Sequence, residues 1–385
     1  MLIFFGIISD CEVVQIVDTA TIIYQDKKLS ITNLVHNIQY ITNTQFEIEN
    51  NKYIFKNLSL TEYNFINFIS VTELKKNIRL SVTFSYSRFE SKSDNFTLCT
   101  RERSIKDCHT AIIKLFRSIT AKPLKYEDLE VYAIDISNQL QVENIRNYYN
   151  TLDLIYRAFK RNEPNGRLYF DVDRDKRKQL DGLDFRERGK KRREATTYFK
   201  IYSKRKELED TGKEVQGRGT ALRGELTLKG FQLKKWGLST LEGINKKNLE
   251  RVLKETLAET LIPLLNDEIN DSLDKIKKAI KGTKNIKQNI LMYDYLIFDI
   301  KLLDIILIPD VLGKSIRQCQ YHKKAIIELL QENSIKGEVK KTYEKNFERL
   351  QKLLKKIVKA DVKIDLKGED KLIWQSQNSR KRDSQ

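Results

Sequence analysis

The segment Ala195-Thr-Thr-Tyr-Phe-Lys-Ile-Tyr-Ser-Lys-Arg-Lys-Glu-Leu208 sets a tyrosine among charged neighbours. Strand alternation puts Thr197, Phe199 and Ile201 on one face and Tyr198, Lys200 and Tyr202 on the other. Ser203 to Asp210 holds strong helix formers and no β-branched residue, so the strand is expected to hand over to a helix near Tyr202. A side chain at such a junction is held firmly yet stays accessible. Tyr202 has cations at positions 200, 204 and 206 and a carboxylate at Glu207. A phenol has a pKa of ~10 and attacks poorly while protonated. Nearby cations and a metal-activated phosphate favour the phenolate and stabilise charge on phosphoryl oxygens. The chemistry indicated is attack on phosphorus. The plainer reading is a packed tyrosine covering a basic edge, and with 17 tyrosines in the chain position alone singles out none.

Two further segments carry carboxylates in useful places. In Leu222-Arg-Gly-Glu-Leu-Thr-Leu-Lys229, Leu222, Leu226 and Leu228 face one way and Arg223, Glu225, Thr227 and Lys229 the other. That alternation predicts a half-buried strand presenting Arg223 and Glu225 together. They form either a metal-binding or phosphate-orienting pair or a surface salt-bridge row, and alternation alone favours the row. Asp135 ends the apolar run Leu129-Glu-Val-Tyr-Ala-Ile-Asp135, where a carboxylate is costly unless paired or metal-bound. Its hard oxygens suit Mg²⁺ or Mn²⁺; capping a turn at a strand end is the equal alternative.

The elements that must position these groups fall into zones. Residues 1–125 read as a mixed α/β region, with strands at Glu12–Val17 and Ile78–Phe84 and a helix over Lys106–Ile119. Residues 126–245 alternate strands (Leu129–Ile136, Gly166–Val172, Ala195–Tyr202, Ala221–Leu228) with a helix at Val142–Phe159. Residues 173–194 are expected to be a charged loop with too few apolar residues to bury. Residues 246–366 are helical, with stripes such as Leu249, Val252, Leu253, Leu257 and Leu261. The polar, basic tail at 367–385 is expected to be disordered. The fold class indicated is α+β, an antiparallel-sheet core with packed helices followed by a helical C-terminal region.

Composition narrows the function. The chain has 385 residues, 71 basic and 53 acidic, and a formal charge of +18, which attracts polyanions. Between Arg157 and Lys235, Lys and Arg outnumber Asp and Glu about twofold, and the densest run is Arg186-Glu-Arg-Gly-Lys-Lys-Arg-Arg193. Aromatic residues interleave with it, as suits single or melted strands as well as duplex. Lys190, Lys191, Arg192, Arg193, Lys200, Arg205 and Arg223 are the expected DNA contacts; a solvated basic loop is the bland alternative. His36, His109 and His322 are not at ligand spacing, so a histidine-rich metal centre is not expected. The four cysteines form no CxxC pair and read as reduced, mostly buried thiols. The apolar stretches Met1–Ile8 and Ile290–Leu312 are too short or too charged to span a bilayer, so a cytoplasmic protein is expected. No Gly-x-x-x-x-Gly-Lys-Ser/Thr loop occurs, so no nucleotide motor is expected.

Taken in order, the motifs resemble the replication-initiation endonucleases of filamentous phages and, more distantly, plasmid rolling-circle initiators. Tyr202-Ser-Lys204-Arg-Lys-Glu207-Leu208 fits the pattern Tyr-x-Lys-x-x-Glu-Leu, and Leu222-Arg223-Gly-Glu225 follows where an Arg-aromatic-Glu strand is usual. Leu233-Lys-Lys-Trp-Gly237-Leu-Ser-Thr-Leu241 resembles the continuation Leu-x-x-aromatic-Gly-x-x-x-Leu, and Ala133-Ile-Asp135 sits where Arg-Ile-Asp is usual. The resemblance covers about residues 125–245. Gly224 and Ala133 depart from it, and the His-hydrophobe-His signature of the wider superfamily is missing. It implies an enzyme that nicks one DNA strand at an origin through a 5′-phosphotyrosyl ester and later rejoins it. Tyr202 would be the nucleophile, Lys204 and Lys206 would contact phosphate, and Asp135, Glu225 and less strongly Glu207 would hold Mg²⁺ or Mn²⁺. Duplex origin, single strand, host helicase and polymerase would be the partners. A non-catalytic origin-binding protein and a plasmid-transfer relaxase are the competing readings.

Overall fold

The protein is described from a computed structural model over residues 17–56, 58, 63–92, 96, 98–99, 101–160, 167–172, 178–186, 197–212, 220–286, 289, 303–332 and 348–356. Two compact units interleave along the chain. Met1–Gln139, Arg188–Phe199 and Arg223–Val252 make the first; Leu140–Glu187, Lys200–Leu222 and Leu253–Gln385 make the second.

The first unit is built on β1 (Val17–Asp26), β2 (Phe46–Glu49), β3 (Lys52–Lys56), β4 (Ile66–Glu73), β5 (Ile78–Ser85), β6 (Glu130–Val142) and much of β10 (Thr220–Lys229), side by side in the order β2-β3-β4-β5-β1-β6-β10. The pairs β2–β3, β3–β4, β4–β5, β5–β1 and β1–β6 are antiparallel. Alternation sets which face is greasy. Leu80, Val82 and Phe84 of β5 and Ile69 and Val71 of β4 are buried, and helices α1 (Ile31–Thr42), α2 (Tyr86–Ser91) and α3 (Glu102–Thr120) pack with this sheet. Ser30 caps α1, its hydroxyl accepting from the Asn33 amide. In α3 the buried residues Ile105, Cys108, Ile112, Phe116 and Ile119 recur at helical spacing. Beneath them the Tyr86 hydroxyl meets His109 Nε2 at 2.8 Å, and burial lowers the imidazole pKa to about 4.

The second unit contains α4 (Tyr149–Lys160), β7 (Arg167–Val172), β8 (Lys178–Arg186), the end of β9 (Thr197–Ser203) and α5 (Lys204–Asp210), with strand order β10-β9-β8-β7. Most of α7 (Lys246–Ile280), α8 (Ile316–Glu332) and a helical stretch over residues 348–356 follow. The α+β class and the antiparallel sheet expected from sequence are thus present. No described helix is long and apolar enough to cross a membrane. Cys99, Cys108 and Cys319 are free and buried, and burial pushes all three thiols up.

Two sequence expectations need correction. The stretch 173–194 is not wholly a loop: Lys178–Arg186 forms β8, paired antiparallel with β7. Its charges hid it, because backbone pairing needs no apolar side chain. Strand β10 is not half-buried either; residues 221–228 are buried on both faces. The strand expected at Glu12–Val17 lies outside the described residues except Val17, where β1 begins. So does most of Ile290–Leu312, apart from short turns at Leu303–Ile306 and Pro309–Leu312.

Candidate functional site

In the second unit, β9 runs to Ser203 and α5 begins at Lys204, so the strand-to-helix junction falls where the residue types indicated. Ser203 is the cap, its side chain accepting from the Lys206 amide. Phe199, Ile201 and Ser203 are buried while Lys200 and Tyr202 are half-buried, so alternation turns Tyr202 away from the core. Its backbone is tightly seated: a Cβ on Gly182 of β8 would lie 2.5 Å from the Ile201 carbonyl oxygen and 2.9 Å from Tyr202 Cα. Gly182 is a close-packed position beside Tyr202 that the sequence reading missed. A lone glycine within a run that pairs as a strand was the available signal.

The cations after Tyr202 do not all face solvent. Lys204 was expected to contact phosphate, but its side chain is buried and Nζ lies 2.6 Å from Glu207 Oε2. Glu207 thereby takes the alternative of orienting a lysine. Arg205 pairs with Glu209 at 2.9 Å and Lys206 with Asp210 at 3.1 Å, one helical turn on. Lys190, Lys191, Arg192 and Arg193 lie outside the described residues.

In the first unit, a polar row crosses β1, β6 and β10. Asp135 accepts from the hydroxyls of Thr19 on β1, 2.8 Å away, and Thr227 on β10. Burial above all, then the charge of Glu225, pushes the Asp135 carboxyl up to about 7; the two threonine hydroxyls oppose that rise, and Asp18 adds to it. Glu225 itself is buried. Four residues along each strand, Arg223 donates to Gln139 Oε1 from Nε at 3.3 Å and from Nη2 at 2.9 Å. The steps from Thr227 to Arg223 and from Asp135 to Gln139 run in opposite directions, as antiparallel strands require.

Arg223, expected to contact DNA, is instead fully buried. Nη1 lies 2.9 Å from Asp18 Oδ2 and Nη2 donates to the Phe96 carbonyl at 2.8 Å. A guanidinium spent on these partners ties β1, β6 and β10 together and leaves no donor fork for phosphate. Asp18 was the unseen partner, because only the folded register brings it to Arg223.

Asp135 and Glu225 offer hard oxygen donors, the kind Mg²⁺ and Mn²⁺ take, and Mg²⁺ keeps several of its waters. A carboxyl pushed up by burial and a like charge is one that a cation would return to its ionised form. The donor chemistry therefore fits such an ion. Among the described residues no three His, Cys, Asp or Glu side chains cluster closely enough to hold a metal by themselves.

Immediately after β10, Gly230 (φ 54°) turns the chain into α6 (Phe231–Lys235). The helix closes on a Schellman motif: the Leu238 amide donates to the Leu233 carbonyl at 2.7 Å and the Gly237 amide to that of Lys234 at 3.2 Å, with Gly237 at φ 69°. Leu233 and Leu238 are both buried. The Leu-x-x-aromatic-Gly portion of the Leu-x-x-aromatic-Gly-x-x-x-Leu pattern noted in the sequence is thus a helix stop.

No protein-family model and no curated protein matches the chain. Among solved structures it is similar to a rolling circle replication initiator protein from Geobacillus stearothermophilus, at a TM-score of 0.28 and 9% identity over 74% of this chain and 96% of that one. It is also similar to the di-domain ARO/CYC StfQ from the steffimycin biosynthetic pathway (TM-score 0.20, 10% identity, 64% of this chain and 96% of that one). BexL, the di-domain ARO/CYC from the BE-7585A pathway, gives a TM-score of 0.21 at 8% identity, over 65% of this chain and 97% of that one. Likenesses this weak do not separate an initiator from an ARO/CYC protein.

Proposed function

We propose that the protein is a DNA strand-nicking and joining enzyme of the rolling-circle initiator kind, with Tyr202 as nucleophile. The observation that carries this reading is the seat of Tyr202: a half-buried phenol near the end of a paired strand, one residue before the Ser203 cap of α5. A nucleophile needs that combination of fixed backbone and open side chain. In the reaction the Tyr202 oxygen bonds to a backbone phosphorus as the bond from phosphorus to the 3′ oxygen breaks. The phenol loses its proton and the departing 3′ oxygen gains one. The ester keeps the energy of the broken bond, so rejoining needs no nucleotide. Lys204, held by Glu207, fixes a positive charge two residues from the nucleophile. Asp135 and Glu225 would hold Mg²⁺ or Mn²⁺, which supplies charge neutralisation on the phosphoryl oxygens. The chain's net charge of +18 supports DNA as the substrate.

The test is to incubate the protein with supercoiled phage or plasmid DNA and Mn²⁺ and to examine the products. Relaxed circles whose 5′ end is blocked until protease treatment are the expected result. Tyr202→Phe is expected to abolish the linkage and leave DNA binding largely intact. An adduct that persists in Tyr202→Phe removes Tyr202 from the role. Salt-sensitive binding without cleavage under any divalent ion would identify a non-catalytic origin-binding protein.

A further inference from the structure

The corner where β10 enters α6 carries residues that the nicking chemistry does not use. Phe231, the first residue of α6, leaves 64% of its surface exposed. A single exposed aromatic residue is ordinary, but the setting of this one is not. Lys229 stands over the Tyr198 ring at 5.3 Å on one side in sequence, and Lys235 over the Trp236 ring at 4.8 Å on the other. Lys234 and Lys235 are exposed. From Leu226 to Leu241 the chain contains no acidic residue.

The corner is also rigid. Gly230 at φ 54° and ψ −122° sets the entry, and the Schellman closure sets the exit. The Trp236 carbonyl accepts from Asn248 Nδ2 at 3.4 Å and Arg251 Nη2 at 3.5 Å, while the Gly243 carbonyl accepts from Asn248 Nδ2 at 2.9 Å. Phe231 is therefore presented by a backbone fixed on both sides, with no ordering left for its main chain when a ligand arrives.

We propose that this corner is a binding site for single-stranded DNA, in which Phe231 stacks on an unpaired base and Lys229, Lys234 and Lys235 neutralise the phosphates on either side. An exposed ring between fixed cations meets both demands of a single strand: every base has a stackable face, and every nucleotide carries a charge. A folded acidic protein would match the charge but give the ring no flat partner at a regular spacing. The site goes beyond strand cleavage and does not depend on it.

The test uses the full chain in EDTA, so that cleavage does not intervene, and a fluorescein-labelled single strand of about a dozen nucleotides read by anisotropy. Phe231→Ala is expected to weaken binding about tenfold and Phe231→Trp to restore it. An abasic strand of the same length is expected to bind the wild-type chain about tenfold more weakly and to bind Phe231→Ala no worse than the intact strand does. Replacing both Lys234 and Lys235 by Gln should reduce the slope of log affinity against log salt by about 1.4, the loss of two phosphate contacts. Wild-type affinity in Phe231→Ala overturns the proposal, as does equal wild-type affinity for abasic and intact strands. So does a Phe231→Trp variant as weak as the alanine, since the ring would then serve packing. Base-dependent binding without any covalent adduct would leave this site standing and remove Tyr202 from its role; an adduct without base-dependent binding would do the reverse.

Discussion

At the scale of single residues, strand alternation was easier to read than ion pairing. The half-buried seat of Tyr202 agrees with the alternation read from its segment. Lys204 and Arg223 were misjudged for one reason: a charged residue in a basic region reads as exposed unless its partner is visible, and these partners become neighbours only on folding. His109 makes a testable case of a buried titratable group. Its pKa falls from 6.5 to about 4 on burial, so between those values the unfolded chain binds the extra proton and the folded one does not. Stability from this group is therefore full above about 6.5 and is lost as pH falls toward about 4. Asp135, whose carboxyl is pushed up, slopes the opposite way over that range. The diagnostic quantity is thus the difference between wild type and His109→Gln in urea melts at several pH values. The variant is expected to be the less stable at pH 7, where the Tyr86 contact counts, and to close that gap by pH 5. A gap that stays constant would show that His109 does not titrate in this window.

At the scale of elements, periodicity recovered those whose two sides differ and missed those whose sides are alike. Strand β5 and helix α3 came out close to their observed ends because each has one apolar side. Strand β8 carries four charges in nine residues (Lys178, Asp181, Asp184 and Arg186) and was taken for loop; β10 was found as a strand, but its residues 221–228 are buried on both faces. The glycine of β8 follows from the same crowding. Gly182→Ala would push a methyl against the Ile201 carbonyl and the Tyr202 backbone, and overpacking of this kind costs about 1–3 kcal/mol. Denaturant melts should register that loss. The nicking rate, measured where the variant is still fully folded, should fall further than the stability change explains, because the displaced backbone is the one that seats Tyr202. Unchanged nicking would mean that the strand absorbs the methyl elsewhere.

At the scale of the molecule, the α+β class was readable from the order of elements; the two interleaved units were not, because local patterning says nothing about which distant strands pair. Arg223 shows what such pairing is worth. It spans from β10 to Asp18, 205 residues earlier, and to Gln139, 84 residues earlier. Arg223→Met leaves Asp18 buried without its cation and is expected to cost about 3–5 kcal/mol in urea melts. Adding Asp18→Asn to that variant should recover part of the loss, since the stranded charge is then gone; no recovery would show that the guanidinium matters through Gln139 and Phe96 alone.

That long reach also sets a schedule for synthesis. Asp18 leaves the ribosome early and must wait for some two hundred further residues, roughly ten to forty seconds at ordinary elongation rates, before its counter-ion exists. From the synthesis of β6 until β10 follows it, β6 has no strand on its far side, so the first unit stands with an open edge in the nascent chain. Escorts that shield strand edges during translation would therefore govern how much of this protein reaches its native form.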